Sequence, residues 1–312
     1  MKEELHLFII WENARNKQEE IIKDIKENFE IINIYDICWS KDKFSNNLSR
    51  FYGTNLPKGS GKEQHCGNGN FLLIIIKDLK PEYTERMTSK GSKIVNINMF
   101  DKKEKYRQWT GGGHRIHATN DEIETNHDIT LLLGKNVKDY LKENNTEWDG
   151  KVINIANDLL GSNGWKTVNE MFYALNNCTN YAILRNYESL PDEIYENEHN
   201  DIDLICESME DTAYILNAKP VFKENEYVAG AVFLQPQYRI YLSGASGFRA
   251  PDPHQRRAGA FRLEPGVPSL RYAQIPGGGG HPVRHVLQLQ VRRRRRGYRA
   301  RGHPGGDRHV RG

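Results

Sequence analysis

Asn200-Asp201-Ile202-Asp203-Leu204-Ile205 is the stretch that decides how this 312-residue chain folds. It places two carboxylates two residues apart in an apolar, β-branched segment. Side chains at i and i+2 of a strand point to the same face, so Asp201 and Asp203 would project together, about 6–7 Å apart. Two like charges side by side need a compensating partner, and the usual one is a divalent cation with bound phosphate oxygens. The alternative is a solvated strand face that carries Asp-x-Asp by chance.

The net charge of +3 hides two unlike regions. Residues 236–312 contain 16 Arg, no Lys and three acidic residues, a net charge of +13, which leaves −10 for residues 1–235. Lys and Asn also disappear at this junction, which we interpret as a frameshift, a fusion or an assembly artefact. The segment has many Gly and Pro residues and little apolar periodicity, so we expect a disordered tail. An arginine-rich arm of this kind could bind nucleic acid without sequence preference.

Apolar runs alternate with amphipathic segments over the first hundred residues. The runs at 5–11, 31–37, 71–76 and 93–98 predict strands, and the segments at 17–29, 41–51 and 81–90 predict helices. This alternation favours an α/β domain over residues 1–135 with a mainly parallel sheet. Residues 122–133 also predict a helix, which ends at Gly134. Residues 136–164 have helical spacing at 137–144 and 152–160, which predicts a helical connector.

A glycine-rich stretch within residues 106–120 is the second chemically suggestive region. Three consecutive glycines at 111–113 would let the backbone approach an anion closely. Positive charge could come from the neighbouring basic side chains Arg107, His114, Arg115 and His117. The stretch predicts an anion-binding site, and a flexible surface turn is the alternative.

The four cysteines show neither a C-x-x-C pair nor disulfide-type spacing, so we expect reduced thiols. No secretory signal is evident, and the longest apolar runs are too short to cross a bilayer. The sequence therefore predicts a cytoplasmic protein without a membrane span.

The order of elements over residues 165–234 is helix, strand, acidic loop, Asp-x-Asp strand, helix, strand. This order resembles the nucleotidyltransferase fold of the DNA polymerase beta superfamily. More narrowly, Asn180-Tyr-Ala-Ile-Leu-Arg-Asn-Tyr-Glu-Ser-Leu-Pro, followed by the Asp-x-Asp strand, is similar to nucleotidyltransferase-like proteins of bacterial surface-polysaccharide gene clusters. The resemblance implies a small α+β nucleotidyltransferase-like domain over residues 165–235.

The resemblance also implies a mechanism. Asp201 and Asp203 would bind Mg²⁺ (or Mn²⁺), which holds a nucleoside triphosphate during attack on the α-phosphate. Arg185 could neutralise a phosphate, and His199 could contact substrate. A sugar- or polyol-phosphate acceptor would occupy the anion site of the first domain, and the product would serve surface-polysaccharide synthesis.

Two departures weaken this assignment. The Gly-Ser pair that the superfamily places before the first Asp is represented only by Gly161-Ser162, about forty residues upstream. A third carboxylate on a later strand has no convincing counterpart before residue 235, so we expect a truncated domain that could be inactive. The alternatives are a metal-dependent glycosyltransferase that uses a nucleotide-sugar, and a non-catalytic protein that binds nucleic acid through the arginine-rich tail.

Overall fold

The computed structural model describes residues 3–88, 91–144, 146–185, 190 and 201–218, together with the backbone of five strands beyond residue 220. The strands are β1 (Glu4–Ile10), β2 (Glu30–Ile37), β3 (Phe71–Asp78), β4 (Tyr83–Thr88), β5 (Gly91–Asn96), β6 (Ile116–Ala118), β7 (Val152–Ile155), β8 (Tyr181–Arg185), β9 (Asp201–Cys206), β10 (Val221–Lys223), β11 (Glu226–Val228), β12 (Ala231–Leu234), β13 (Tyr238–Ala245) and β14 (His285–Arg293). The helices, which follow a 3₁₀ turn at Glu12–Lys17, are α1 (Gln18–Asn28), α2 (Phe44–Tyr52), α3 (Gly61–Cys66), α4 (Ile97–Trp109), α5 (Glu122–Leu133), α6 (Val137–Glu143), α7 (Val168–Cys178) and α8 (Met209–Ile215).

The first sheet has the strand order β6-β1-β3-β2-β7 and is mixed. Its β1–β3, β3–β2 and β1–β6 pairs are antiparallel, and its β2–β7 pair is parallel. The prediction of a mainly parallel sheet is therefore wrong. The chain does cross over through α1 so that β1 and β2 run in the same direction, but β3 lies between them and runs the opposite way. Sequence patterning cannot reveal this insertion, since a strand covered on both faces is apolar throughout in either arrangement.

Both faces of this sheet are covered. Along β1 the side chains alternate, with Leu7 and Ile9 in one apolar core and Phe8 and Ile10 in the other, as the two-residue period of a strand requires. The first core also contains side chains of α2 and α5, and the second contains side chains of α1 and α4. The sheet thus holds α4, β6 and α5 in fixed positions around its β6 edge.

Two predicted helices are strands. Residues 83–88 form β4, which pairs with β5 as an antiparallel hairpin, and residues 152–155 form β7 beside β2. The first error arose from reading Pro81 as a helix start, and the second from the spacing of Ile153, Ala156 and Leu159, which fits a helix but also a short strand followed by a turn. The connector therefore contributes a strand to the first sheet, while the proposed domain boundaries remain predictions.

The second sheet has the order β12-β13-β14-β9-β8, with every neighbouring pair antiparallel. Leu204 and Cys206 of β9 are buried in a core with residues of α7 and α8. Two segments of the predicted disordered tail, those of β13 and β14, are described as strand backbone. The remaining tail residues lie outside the described residues. None of the helices in the described ranges is long and apolar enough to span a bilayer.

Arg50 on α2 joins the two sheets and their helices. Its side chain is fully enclosed, with 1% of its surface exposed, and burial lowers the pKa of its guanidinium to about 9. The guanidinium donates to the carbonyl oxygens of Leu160, Tyr214 and Ile215 at 2.7–3.0 Å and to the Ser162 hydroxyl at 2.8 Å. Two of these carbonyls end α8, where the helix dipole favours a cation. Ser162 belongs to the Gly-Ser pair that lies too far upstream of Asp201 to match the superfamily pattern, and its hydroxyl is engaged in this contact.

Candidate functional site

The Asp-x-Asp motif lies on a strand, as predicted. Asp201 and Asp203 belong to β9, whose later residues Leu204 and Cys206 are buried. In the antiparallel register Asp203 is opposite Arg185 of β8. On its other side β9 pairs with β14, a strand that contains neither Asp nor Glu. The predicted substrate residue His199 lies outside the described residues.

The three glycines at 111–113 cap a helix. All have positive φ values, between 73° and 88°. The N–H groups of Gly111 and Gly112 donate to the carbonyl oxygens of Gln108 and Arg107, which belong to the last turn of α4. The C-terminal end of a helix carries the negative end of its dipole, so this backbone is poorly suited to cradle an anion.

The predicted basic residues have different environments. Arg107 donates to the Ile116 carbonyl at 3.1 Å and pairs with Glu104 at 2.8 Å. Arg115 donates to the Thr110 carbonyl at 2.9 Å, and its buried Nε has no partner among the described residues. Burial, followed by nearby cations, lowers the pKa of His114 to about 4, so that its side chain is neutral at pH 7 and adds no charge to an anion site.

His117 contacts a buried carboxylate. Its Nε2 lies 2.7 Å from Oδ2 of Asp128, and the other oxygen of Asp128 lies 2.9 Å from Nδ1 of His127. Glu124, one helical turn before Asp128 on α5, also lies nearby. We call His117, Glu124, His127 and Asp128 the His117 centre. β6 positions His117, and α5 supplies the other three.

The hydrogen bonds of Asp128 determine its ionisation state. Burial alone would raise the pKa of its carboxyl, but hydrogen bonds from His117 and His127 outweigh burial and lower that pKa below the ordinary value. The carboxylate is therefore ionised at pH 7 and can only accept hydrogen bonds. Nε2 of His117 therefore carries the proton of this hydrogen bond.

Aromatic side chains form one wall beside His117. The ring centroids of Phe51 and Tyr52 lie 5.2 and 5.7 Å from the imidazole, both in edge-to-face geometry. The ammonium of Lys62 lies 3.5 Å from the centroid of the Tyr52 ring. Burial raises the pKa of Tyr52 well above its ordinary value, so this phenol stays neutral.

A metal ion is one possible occupant of the centre. Ligand atoms of His117, Glu124 and Asp128 lie within 4.8 Å of one another. A mixed nitrogen and oxygen donor set suits a transition metal better than Mg²⁺, which prefers oxygen ligands. One oxygen of Glu124 already accepts two hydrogen bonds of 2.7 Å from Asn120, and His117 and Asp128 already satisfy each other. This arrangement gives no support to Mg²⁺ or Mn²⁺ at the His117 centre.

Sequence reasoning identified His117 but missed Asp128, His127 and Tyr52. Asp128 follows His117 by eleven residues, and only the turn from β6 into α5 brings them together. The available signal was the dipeptide His127-Asp128 on the helix predicted at 122–133. No protein-family model and no curated protein matches this chain, so the nucleotidyltransferase relationship stays a prediction.

Proposed function

We propose that this chain is a Mg²⁺-dependent nucleotidyltransferase of the cytoplasm that uses a nucleoside triphosphate. Its acceptor would be a sugar- or polyol-phosphate destined for surface polysaccharide. The observation that supports the proposal is the placement of Asp201 and Asp203 two residues apart on β9, in a strand whose following residues are anchored in the core of α7 and α8. Arg185 stands opposite Asp203, where a cationic residue would assist a phosphate.

The proposed reaction joins the acceptor to the nucleotide. An acceptor oxygen attacks the α-phosphorus in line, and the bond to the β-phosphate oxygen breaks with release of pyrophosphate. A divalent ion held by Asp201 and Asp203 would neutralise the charge on the triphosphate. Arg185 would hold a phosphate oxygen by charge-assisted hydrogen bonds.

The first test is metal binding. Titration calorimetry of the wild-type chain with Mn²⁺, in the presence of ATP, should show binding that falls at least tenfold in the variant with both Asp201→Asn and Asp203→Asn. Asp101→Asn is the matched control, because this exposed carboxylate lies on α4, away from β9. Equal affinity in all three proteins would contradict the proposal.

The second test distinguishes a nucleotidyltransferase from a glycosyltransferase. A glycosyltransferase would place its metal motif at the edge of the same sheet as the N-terminal strands, whereas β9 lies in a separate sheet from β1, β2 and β3. Thermal-shift assays with Mn²⁺ should therefore show stabilisation by nucleoside triphosphates and little by nucleotide-sugars. The reverse ranking would favour the glycosyltransferase.

Whether the arginine-rich tail binds RNA is tested separately. Deleting residues 236–312 should eliminate binding of unrelated RNA at low salt, since the positive charge of the chain is concentrated there. Because this deletion also removes β13 and β14, the matched control keeps the whole chain and replaces the five arginines at 292–296 with glutamine. Unchanged RNA binding in both variants would place it elsewhere in the chain.

A further inference from the structure

We infer that the His117 centre is a Zn²⁺ site in which His117, Glu124 and Asp128 are the protein ligands. Water would take the fourth position of the tetrahedral ion, and His127 would be a positioning residue. The site belongs to β6 and α5 and uses no residue of β9. The inference therefore goes beyond the proposed nucleotidyl transfer and does not depend on it.

The three ligand groups converge although they come from separate elements. His117 lies on β6, and Glu124 and Asp128 lie about one helical turn apart on α5, a spacing that puts both carboxylates on one face of the helix. One ligand atom of each residue lies within 4.8 Å of those of the other two. Small side-chain rotations would therefore let a single ion bind all three.

The two carboxylates lack the partners that buried acidic groups usually have. Asp128 is 2% exposed and Glu124 is half-buried, and among the described residues neither forms an ion pair with lysine or arginine. Like charges one turn apart on a helix repel each other. Because buried charges in proteins are paired or coordinate metals, a divalent cation would offset both carboxylates at once.

Hydrogen bonds from outside the ligand set hold both carboxylates in place. Nδ1 of His127 lies 2.9 Å from Oδ1 of Asp128, which is not the oxygen that contacts His117. The backbone N–H and the side-chain amide of Asn120 both donate to Oε2 of Glu124 at 2.7 Å, and no described residue donates to Oε1. Each carboxylate thus has one oxygen held from outside and a second that remains for an ion. Contacts of this kind orient metal ligands and strengthen metal binding.

Binding would replace the hydrogen bond between His117 and Asp128 with two bonds to the ion. Nε2 and Oδ2 lie 2.7 Å apart, whereas two ligand atoms bonded to a tetrahedral Zn²⁺ lie about 3.3 Å apart. The two groups therefore need to separate by only about 0.6 Å. The proton leaves Nε2, and the lone pair of that nitrogen forms the bond to zinc. A neutral imidazole can carry its proton on Nδ1 instead.

The donor atoms of the site discriminate among cations. One imidazole nitrogen with two carboxylate oxygens suits Zn²⁺, whereas Mg²⁺ prefers oxygen ligands alone. Mn²⁺ generally binds a given site more weakly than the other divalent ions between manganese and zinc. We therefore expect the His117 centre to bind zinc even when Mg²⁺ is in excess.

Zinc binding to the full chain, first freed of metal with a chelator, tests the inference directly. Competition with a chromophoric chelator in the presence of Mg²⁺ should show affinity that falls about tenfold or more in His117→Gln and in Glu124→Gln. The first variant keeps an N–H donor for Asp128, so the fold should survive. His114→Gln is the matched control for the imidazole, and Glu122→Gln, on the same helix, is the control for the carboxylate. Both controls should keep the wild-type affinity.

X-ray absorption at the zinc edge needs no variant of the centre. With less than one equivalent of zinc bound to the wild-type chain, the first shell should contain nitrogen and oxygen at about 2.0–2.1 Å and no sulfur at about 2.3 Å. The variant with both Asp201→Asn and Asp203→Asn should give the same spectrum and the same affinity. Failure of the nucleotidyl-transfer proposal would therefore leave this result unchanged.

Four results would overturn the inference. They are absence of zinc binding, equal affinity in the wild type, His117→Gln and Glu124→Gln, sulfur in the first shell, and loss of binding only in the double variant of Asp201 and Asp203. The first two would make the His117 centre a hydrogen-bonded network without a metal. The third would assign the zinc to cysteine thiolates, and the fourth would assign it to β9.

Discussion

His6 and His117 are two buried histidines on neighbouring strands of one sheet, and they differ in how their rings are satisfied. His6, on β1, is completely buried. Its Nδ1 lies 3.1 Å from the Thr119 hydroxyl, and its Nε2 lies 3.2 Å from the Asn96 amide. His117, on β6, is 7% exposed and uses only Nε2.

The two rings differ in how many contacts depend on them. Both nitrogens of His6 are used to join β1 to the segment that follows β6 and to the end of β5, so protonation or ligand binding would break contacts. At His117 the hydrogen bond of the described contacts involves Nε2 and Asp128. Burial by itself therefore does not distinguish the two rings, whereas their hydrogen-bond partners do.

The largest expected effect is a loss of stability on substitution of His6. His6→Gln should lower the free energy of unfolding by about 2 kcal/mol, because a flexible amide cannot reproduce the fixed contacts to Thr119 and Asn96 and leaves buried polar groups unsatisfied. His117→Gln should cost less than about 1 kcal/mol, since the new amide can still donate to Asp128. Urea denaturation of both variants measures the two values, and equal losses would contradict the distinction.

The pH dependence of stability sharpens the comparison. Burial lowers the pKa of His6, although Glu4 partly opposes it, so the folded state resists a proton that the unfolded state accepts. The stability that His6 contributes is present above its unfolded pKa near 6.5 and is lost as the pH falls toward the lower folded value. Replacing His6 with Gln should reduce the slope of unfolding free energy in this window by up to about 1.4 kcal/mol per pH unit.

His114 adds to the same acid-side slope, because its pKa is lowered to about 4. The measurement is therefore the difference between wild type and His6→Gln in urea denaturation at several pH values between 5 and 7. A difference that does not change with pH would show that His6 keeps an ordinary affinity for protons.

The smallest effect concerns the glycine cap before β6. Gly112→Ala should cost about 1 kcal/mol for its positive φ alone, since a methyl group there would meet no atom within 4 Å. Gly113→Ala should cost somewhat more, because its methyl group would lie 2.7 Å from Nδ1 of His65. Thermal denaturation compares the two, and an equal loss would mean that the exposed His65 ring simply turns away.

The sequence predicted individual elements better than their arrangement. It placed a helix at 122–133 ending before Gly134, and α5 has these bounds. Local signals sufficed there: Asp121 accepts from the Glu124 N–H, and Gly134 has a φ of 68°. The mixed sheet could not be predicted in the same way, because the position of β3 between β1 and β2 depends on contacts between distant segments.

The candidate sites show the same limit. Asp201 and Asp203 were found because their signal is local, two residues within one strand. His117 was found among basic residues near a glycine run, but its proposed anion-binding backbone is a helix cap. The hydrogen bond between His117 and Asp128 depends on how α5 packs against the sheet, and no spacing rule in the sequence predicts it.

The enclosure of Arg50 has a consequence for protein synthesis. Its hydrogen-bond acceptor at Tyr214 is made 164 residues later, which at about 5–20 residues per second corresponds to a wait of about 8–33 s on the ribosome. During that interval the guanidinium has only water to bond in place of the α8 carbonyls. The contact that joins α2 to α8 is therefore among the last to become available as the chain is made.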